Sequence, residues 1–417
     1  MNTKRQMMHA LIRQYCAEHN DPVFDPEAPR VRMTESTMGA DEISAALDTM
    51  LSANVTQGVQ VAEFERQFSE THGCRHGVAC NSGSSANLLL IAALQAIGRL
   101  PRCKEVIVPA LSWSTTVWPL IQHGLVPVFV DCLDGTLNMD PDKIEGAISK
   151  RTVAIMPVHV YGNPCDMDRI MHIASSHGLM VIEDCCEATG ATYKGRPVGS
   201  FGVGASFSFY MAHHMTTIEG GMAVTNDLNL ANMMRIQRAH GWVRDVSNPQ
   251  DYADKYPEFD PRFLFVQTGY NLRMTDVQAA IGLQQLPKLA GFIAVRRVGH
   301  NFYRAALGRY PVFQFQDETP GAHSSCFDFA VRLRDAPFTV KEICNYLKAR
   351  NIDTRPIICG NLAEHPALFN CEYASRGLLR NASDVRANGF ALSLHHRLDR
   401  PAQEYVVGVI ENFIREA

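Results

Sequence analysis

The sequence predicts an α/β protein, with a large domain built on a parallel or mixed sheet and a smaller α+β domain after it. Three observations carry this. Short, continuous apolar runs recur at 106–109, 126–130, 153–158 and 179–184, the pattern of strands covered on both faces. A segment of helical spacing separates each run from the next, the alternation that builds a parallel sheet. The alternation stops near Trp242, and a different pattern begins at about residue 322. The chain then divides into an N-terminal helical segment (1–55), a large domain (56–290) and a small one (291–417).

Residues 1–30 read as a short amphipathic helix and a connector holding Pro22, Pro26 and Pro29. Ile43, Ala46, Leu47 and Met50 predict a helix over 40–51, and Val61, Phe64 and Phe68 one over 59–72. A small strand at 77–80 feeds a loop, 81–87, before a helix over 88–97. Helices over 114–122, 140–148 and 167–177 separate the apolar strands. Strands at 205–209 and 222–224 precede a helix over 228–240. Residues 243–270 are polar and read as a long surface excursion. A helical block over 275–303 leads to a strand at 327–333, a helix over 340–348 and a closing helix over 406–414.

A chain of 417 residues can bury a large core, and its net charge of -4 offers no basic face to nucleic acid or anionic lipid. The 12 cysteines form no C-x-x-C pair, a usage that suits reduced thiols in a cytoplasmic enzyme. The first residues are too polar for a signal peptide, and no apolar run is long enough to span a bilayer.

The chemistry gathers around residues 206–221. There a short strand ends at Ser208, a turn carries His213 and His214, and Glu219-Gly-Gly closes it. Strand ends of α/β folds project side chains into the crevice where ligands bind. Upstream, the loop Asn81-Ser-Gly-Ser-Ser-Ala-Asn87 lies between a strand and a helix. Gly83 lets the backbone approach an anion, and Ser84 with the first helical amides can donate to phosphate oxygens; a plain helix cap would use the same residues. Asp184 ends a buried strand and needs a partner, which a pyridinium nitrogen or an internal ion pair would supply. Trp113 offers a flat face for stacking on a ring, or ordinary core packing.

This order of features, with Val158-His-Val-Tyr-Gly162, Ile182-Glu-Asp184 and Gly269-Tyr-Asn-Leu-Arg-Met-Thr-Asp276, resembles the DegT/DnrJ/EryC1/StrS sugar aminotransferase family across nearly the whole chain. The resemblance implies the fold-type I, aspartate aminotransferase-like architecture of pyridoxal phosphate enzymes. It assigns Gly83, Ser84, Trp113, Asp184, Glu187 and Ser208 to the cofactor. Asn271 would reach the cofactor phosphate of a neighbouring subunit, which implies a homodimer with shared sites. Arg355 and His214 would contact substrate.

One departure changes the chemistry. The family's pattern places a lysine five residues after the strand serine; here that position is His213, and 195–254 contains no lysine. Imidazole cannot hold the cofactor covalently, but it can move protons near neutral pH. A His-His pair there is similar to the nucleotide-sugar 3-dehydratase branch of the family. That branch implies pyridoxamine 5′-phosphate as the working cofactor and a nucleotide-linked 4-keto-6-deoxyhexose as substrate. His213 would be the acid–base, ammonia would be released, and L-glutamate would restore the cofactor from pyridoxal 5′-phosphate. A CDP-type relative carries a [2Fe-2S] cluster, but the cysteine-free excursion 243–270 cannot complete one, so no cluster and no metal is expected. Cys185 and Cys186 then read as buried packing. The alternatives are a 3-dehydrase needing a separate reductase, exposed by turnover without glutamate, and a non-catalytic cofactor- or sugar-binding relative.

Overall fold

A computed structural model describes residues 3–19 and 24–417; Pro22 lies outside the described residues. The expected apolar runs form strands β1 (His76–Cys80), β2 (Glu105–Pro109), β3 (Val126–Val130), β4 (Thr152–Ile155), β5 (Met180–Asp184), β6 (Gly204–Ser208) and β7 (Gly221–Thr225). They form one sheet in the order β1-β7-β6-β5-β4-β2-β3, extended beyond β3 by the short strand Ala374–Ser375. The pairs β3-β2, β2-β4, β4-β5 and β5-β6 are parallel, while β7 runs antiparallel to both its neighbours. The sheet is therefore mixed. Its interior strands are buried along their length, which is why they read as unbroken apolar runs.

Successive residues of each strand serve opposite faces. Val106 and Val108 pack with Leu89, Leu90, Val117 and Leu230 from three covering helices. Ile107 faces the other way, toward Val128, Ile155, Ile170 and Ile173. Beneath β6 and β7 the second face is aromatic: Phe64, Phe68, Phe207 and Phe209 interlock at centroid distances of 5.0 to 5.9 Å.

The main departures from the sequence reading have local causes. The helix expected over 88–97 starts earlier, at Gly83–Ala96, because the Ser82 side chain caps it by accepting the Ser85 amide at 3.1 Å. The expected helix 140–148 shortens to one turn, Pro141–Ile144, and a 3₁₀ turn. The excursion 243–270 is not wholly irregular, since Pro249 starts a short helix, Pro249–Lys255. Helix Leu289–Leu307 runs through the expected domain boundary at 290/291. Its start packs against the large-sheet core through Leu289 and Ile293, and its end, Tyr303 and Leu307, lies in a second core.

That second core sits on an antiparallel sheet, ordered Phe313–Phe315, Phe329–Leu333, Gly389–Leu392 and Thr354–Arg355. Helices Val340–Lys348 and Arg400–Glu416 cover it through Ile343, Leu347, Val406 and Ile410. No helix among the described residues is long and apolar enough to cross a membrane.

At the end of β5, the fully buried Glu183 draws the chain around it. Its carboxylate accepts the amides of Gly199, Phe201 and Gly202 at 2.7 to 2.8 Å and faces His159 Nε2 at 3.3 Å. His159 Nδ1 accepts the Cys165 amide, so the imidazole carries its proton on Nε2, toward the carboxylate. Glu183→Gln replaces one acceptor oxygen with a donor facing donors. It should destabilise the fold by about 3 kcal/mol, read from the shift of the denaturant midpoint at constant slope.

Candidate active site

A cavity of about 330 Å³ opens at the carboxyl ends of the parallel strands, where open α/β sheets bind ligands. Gly83, Ser84, Trp113, Asp184, Glu187, Ser208, His213 and Arg355 all line it. His214 and Asn271 do not.

One wall suits an anion. Capping by Ser82 leaves the amides of Gly83 and Ser84 at a helix N-terminus without helical partners. A Cβ on Gly83 would lie 2.5 Å from Ser208 Cβ and 3.0 Å from Cys186 Sγ, so only bare backbone fits there. Ser84 Oγ donates to Thr115 Oγ1 at 3.0 Å, and Ser208 Oγ stands across from it at the end of β6. Trp113, at the cap of helix Ser114–Gln122, is 55% exposed beside this wall. Core packing would not leave it so exposed.

Asp184 is held from three sides. Oδ2 accepts Asn87 Nδ2 at 2.8 Å and Thr116 Oγ1 at 2.7 Å, while Oδ1 accepts the Cys186 amide at 3.1 Å. Asn87 is oriented in turn by Ser206 Oγ, which donates to its Oδ1 at 2.6 Å. Every donor is neutral. The carboxylate is thus hydrogen-bonded and uncompensated in charge, a site for a cation such as a protonated ring nitrogen.

His213 lies half-buried in the turn after β6. Its Nδ1 is 2.6 Å from the Cys186 carbonyl. A carbonyl only accepts, so Nδ1 carries the hydrogen and Nε2 keeps a free lone pair. Burial pushes the pKa down to about 4, against the pull of that carbonyl, and the imidazole is neutral at physiological pH. Among the described residues no lysine lines the cavity.

His214 was expected to contact substrate, and the structure places it elsewhere. It is fully buried, its Nε2 donates to the Ser325 carbonyl at 3.1 Å, and burial keeps it neutral. The two histidines point to opposite sides of the turn, and His213 is the one that faces the cavity. Asn271 is exposed and accepts Arg273 Nε at 3.1 Å.

The inner wall is charged. Arg355, on the strand Thr354–Arg355, pairs with buried Asp328 and stacks 5.0 Å over Phe327, the ring that His213 also meets at 5.0 Å. Burial pushes Glu187 up to about 7, against the Tyr161 amide and Arg355, and Asp328 up to about 6, against Arg355 and Arg296. Sequence reasoning missed Asn87, Thr116, Tyr161, Phe327 and the main chain of Cys186. Asn87 and Tyr161 stand inside motifs already singled out; the others carry no local signal. Cys185 is core packing beside Phe207, as expected, but Cys186 lines the cavity because the chain turns there.

The model of the DegT/DnrJ/EryC1/StrS aminotransferase family matches residues 36–411. The chain belongs to this family. A family relative from Saccharopolyspora spinosa, dTDP-4-dehydro-2,6-dideoxy-D-glucose 3-dehydratase, is 36% identical over 98% of this chain and 92% of its own. The structure of E. coli GDP-4-keto-6-deoxy-D-mannose-3-dehydratase with bound hydrated PLP superposes with a TM-score of 0.86 at 35% identity, covering 91% of this chain and 99% of that one. A structure of GDP-4-keto-6-deoxymannose-3-dehydratase with a trapped PLP-glutamate geminal diamine gives 0.84 at 34% identity, over 91% and 100%. The fold is that of the family's fold-type I enzymes. Within it, Gly83→Ala should push Ser208 out of place and cost about 1–3 kcal/mol, measured by thermal unfolding.

Proposed function

We propose that the protein is a pyridoxamine/pyridoxal 5′-phosphate-dependent 3-dehydratase of a nucleotide-linked 4-keto-6-deoxyhexose, with L-glutamate as amino donor. The observation that carries it is His213. A neutral imidazole with a bare Nε2 faces the cavity where the family's pattern has a lysine. The 3-dehydratases among the relatives, and the PLP and glutamate in their structures, support the same reading.

The residues fit the cofactor: the amides of Gly83 and Ser84 with Ser208 Oγ for its phosphate, Trp113 for the ring face, and Asp184 for the ring nitrogen. Glu187 faces the same space. When bound, the cofactor supplies an amine for the 4-keto carbon and a ring that accepts an electron pair. His213 takes up a proton at Nε2 and returns it to the sugar's departing 3-hydroxyl, which leaves as water. The Cys186 carbonyl, fixed at Nδ1, steadies the imidazolium between the two events. The atoms balance without another reductant: glutamate becomes 2-oxoglutarate and ammonia, and the sugar loses one oxygen.

We read the active form as a homodimer. Asn271 is exposed and outside its own cavity, which suits a residue that completes a neighbour's phosphate site. Asn271→Ala and Asp184→Ala subunits should each be impaired, and mixing them should restore activity that neither has alone. An active monomer in sedimentation would refute this.

The decisive measurement is single-turnover formation of 3-deoxy sugar, using a panel of GDP-, CDP-, dTDP- and UDP-linked 4-keto-6-deoxyhexoses. His213→Asn should retain cofactor and lose on the order of a hundred- to ten-thousand-fold in deoxygenation. His214→Asn should lose far less, since its ring serves the Ser325 carbonyl. A fully active His213→Asn enzyme would end this mechanism.

A further inference from the structure

Tyr161 sits where four parts of the cavity wall meet. Its amide donates to Glu187 Oε2 at 3.1 Å, and its carbonyl accepts the Phe327 amide at 2.9 Å. Its hydroxyl accepts the Ile358 amide at 3.1 Å and donates to the Pro356 carbonyl at 3.3 Å. The ring is 1% exposed, so the hydroxyl has no bulk water to turn to, and these two backbone groups satisfy it. Arg355 immediately precedes the segment that the hydroxyl grips, and its guanidinium lies 6.0 Å over the tyrosine ring.

Both sides of this clamp are strained. Tyr161 has φ 53° and Ile358 φ 49°, a region that a β-branched residue rarely enters. Such conformations persist where the surroundings over-determine them, and they cluster at ligand sites. Here the bonds on either side of Ile357 do the determining.

Arg355 is the one arginine or lysine lining the cavity among the described residues, and Asp328 engages only its Nη2. A guanidinium has five donors, so others are left for an anion, and a carboxylate matches its fork. Phe327 is a single ring shared by Arg355 and His213, which places the guanidinium beside the reacting centre. The donor's carboxylate is attached to the carbon bearing its amine. The sugar's diphosphate is attached to C1, across the sugar ring from the carbons that react.

We propose that Tyr161 is a positioning residue for the amino-donor half of the cycle: its hydroxyl sets the 356–358 loop and thereby presents Arg355 to the donor's carboxylate. This rests on the reading of Arg355 as a substrate contact.

The test compares Tyr161→Phe, which keeps the ring and removes the hydroxyl, with Arg355→Gln. Tyr161→Phe should raise KM for L-glutamate about tenfold or more, since small misplacements of a clamp cost up to about a hundredfold. Its kcat and the sugar's KM should stay near wild type, while the thermal midpoint falls by a few degrees, because the Ile358 amide and Pro356 carbonyl lose their buried partner. Calorimetric titration with 2-oxoglutarate should weaken in parallel, a readout independent of turnover. If Arg355→Gln raises the glutamate KM and Tyr161→Phe does not, the positioning role is overturned while the proposed reaction stands. If neither variant moves it, the reading of Arg355 fails and the proposal falls with it. A Tyr161→Phe enzyme that loses kcat, sugar binding and thermal stability together would show a merely structural residue and overturn the proposal. A raised sugar KM alone would assign Arg355 to the diphosphate and do the same.

Discussion

Two neighbouring carboxylates at the end of β5 govern how the rest of the molecule is arranged. Glu183 and Asp184 are consecutive on a strand and so face opposite sides of the sheet, and both are buried. A buried carboxylate without donors is too costly to keep. Glu183 is satisfied only when the 199–202 segment folds over it and presents three amides. Asp184 is satisfied only when Asn87 and Thr116, on two different helices, reach it together. Meeting these demands brings the amino ends of both helices to one point. The amides of Gly83 and Ser84 and the Asp184 carboxylate are therefore placed by the same hydrogen bonds.

The turn after β6 depends on that arrangement in turn. Cys186 gives its amide to Asp184 and its carbonyl to His213, so the carboxylate and the imidazole are tied to one residue. That carbonyl also selects the tautomer. An imidazole with Nδ1 engaged has one nitrogen left, aimed at the cavity, and burial keeps it neutral and able to accept a proton. A lysine in this turn would offer a nucleophile; the histidine offers only proton transfer. The difference between the two chemistries lies in one side chain.

The opposite wall belongs to the smaller sheet and is built from charge. Arg355 and Asp328 pair in a poorly hydrated setting, with Glu187 and Arg296 close enough to shift their titration. Tyr161 ties this wall to the loop after β5 through its own backbone and hydroxyl. The two halves of the site are thus joined through the hydrogen bonds of one residue, Tyr161.

Much of this was legible from the chain alone. Unbroken apolar runs announce covered strands because burial on both faces removes the polar alternation, and Ser208, Asp184 and His213 stand at strand ends or just beyond. The family pattern, with histidine in place of lysine, separates proton transfer from covalent catalysis by composition. Three-dimensional packing decided what spacing cannot encode. Neighbours in a turn share a sequence signal but not a direction: the family pattern singles out His213, and only the fold shows that the His214 ring turns away to the Ser325 carbonyl while His213 meets that of Cys186. Asn87, Thr116, Tyr161 and Asp328 acquire their roles from partners between 27 and 197 positions away. A hydrogen bond across such separations has no local signature, because its geometry exists only after the sheet and the helices have closed around it.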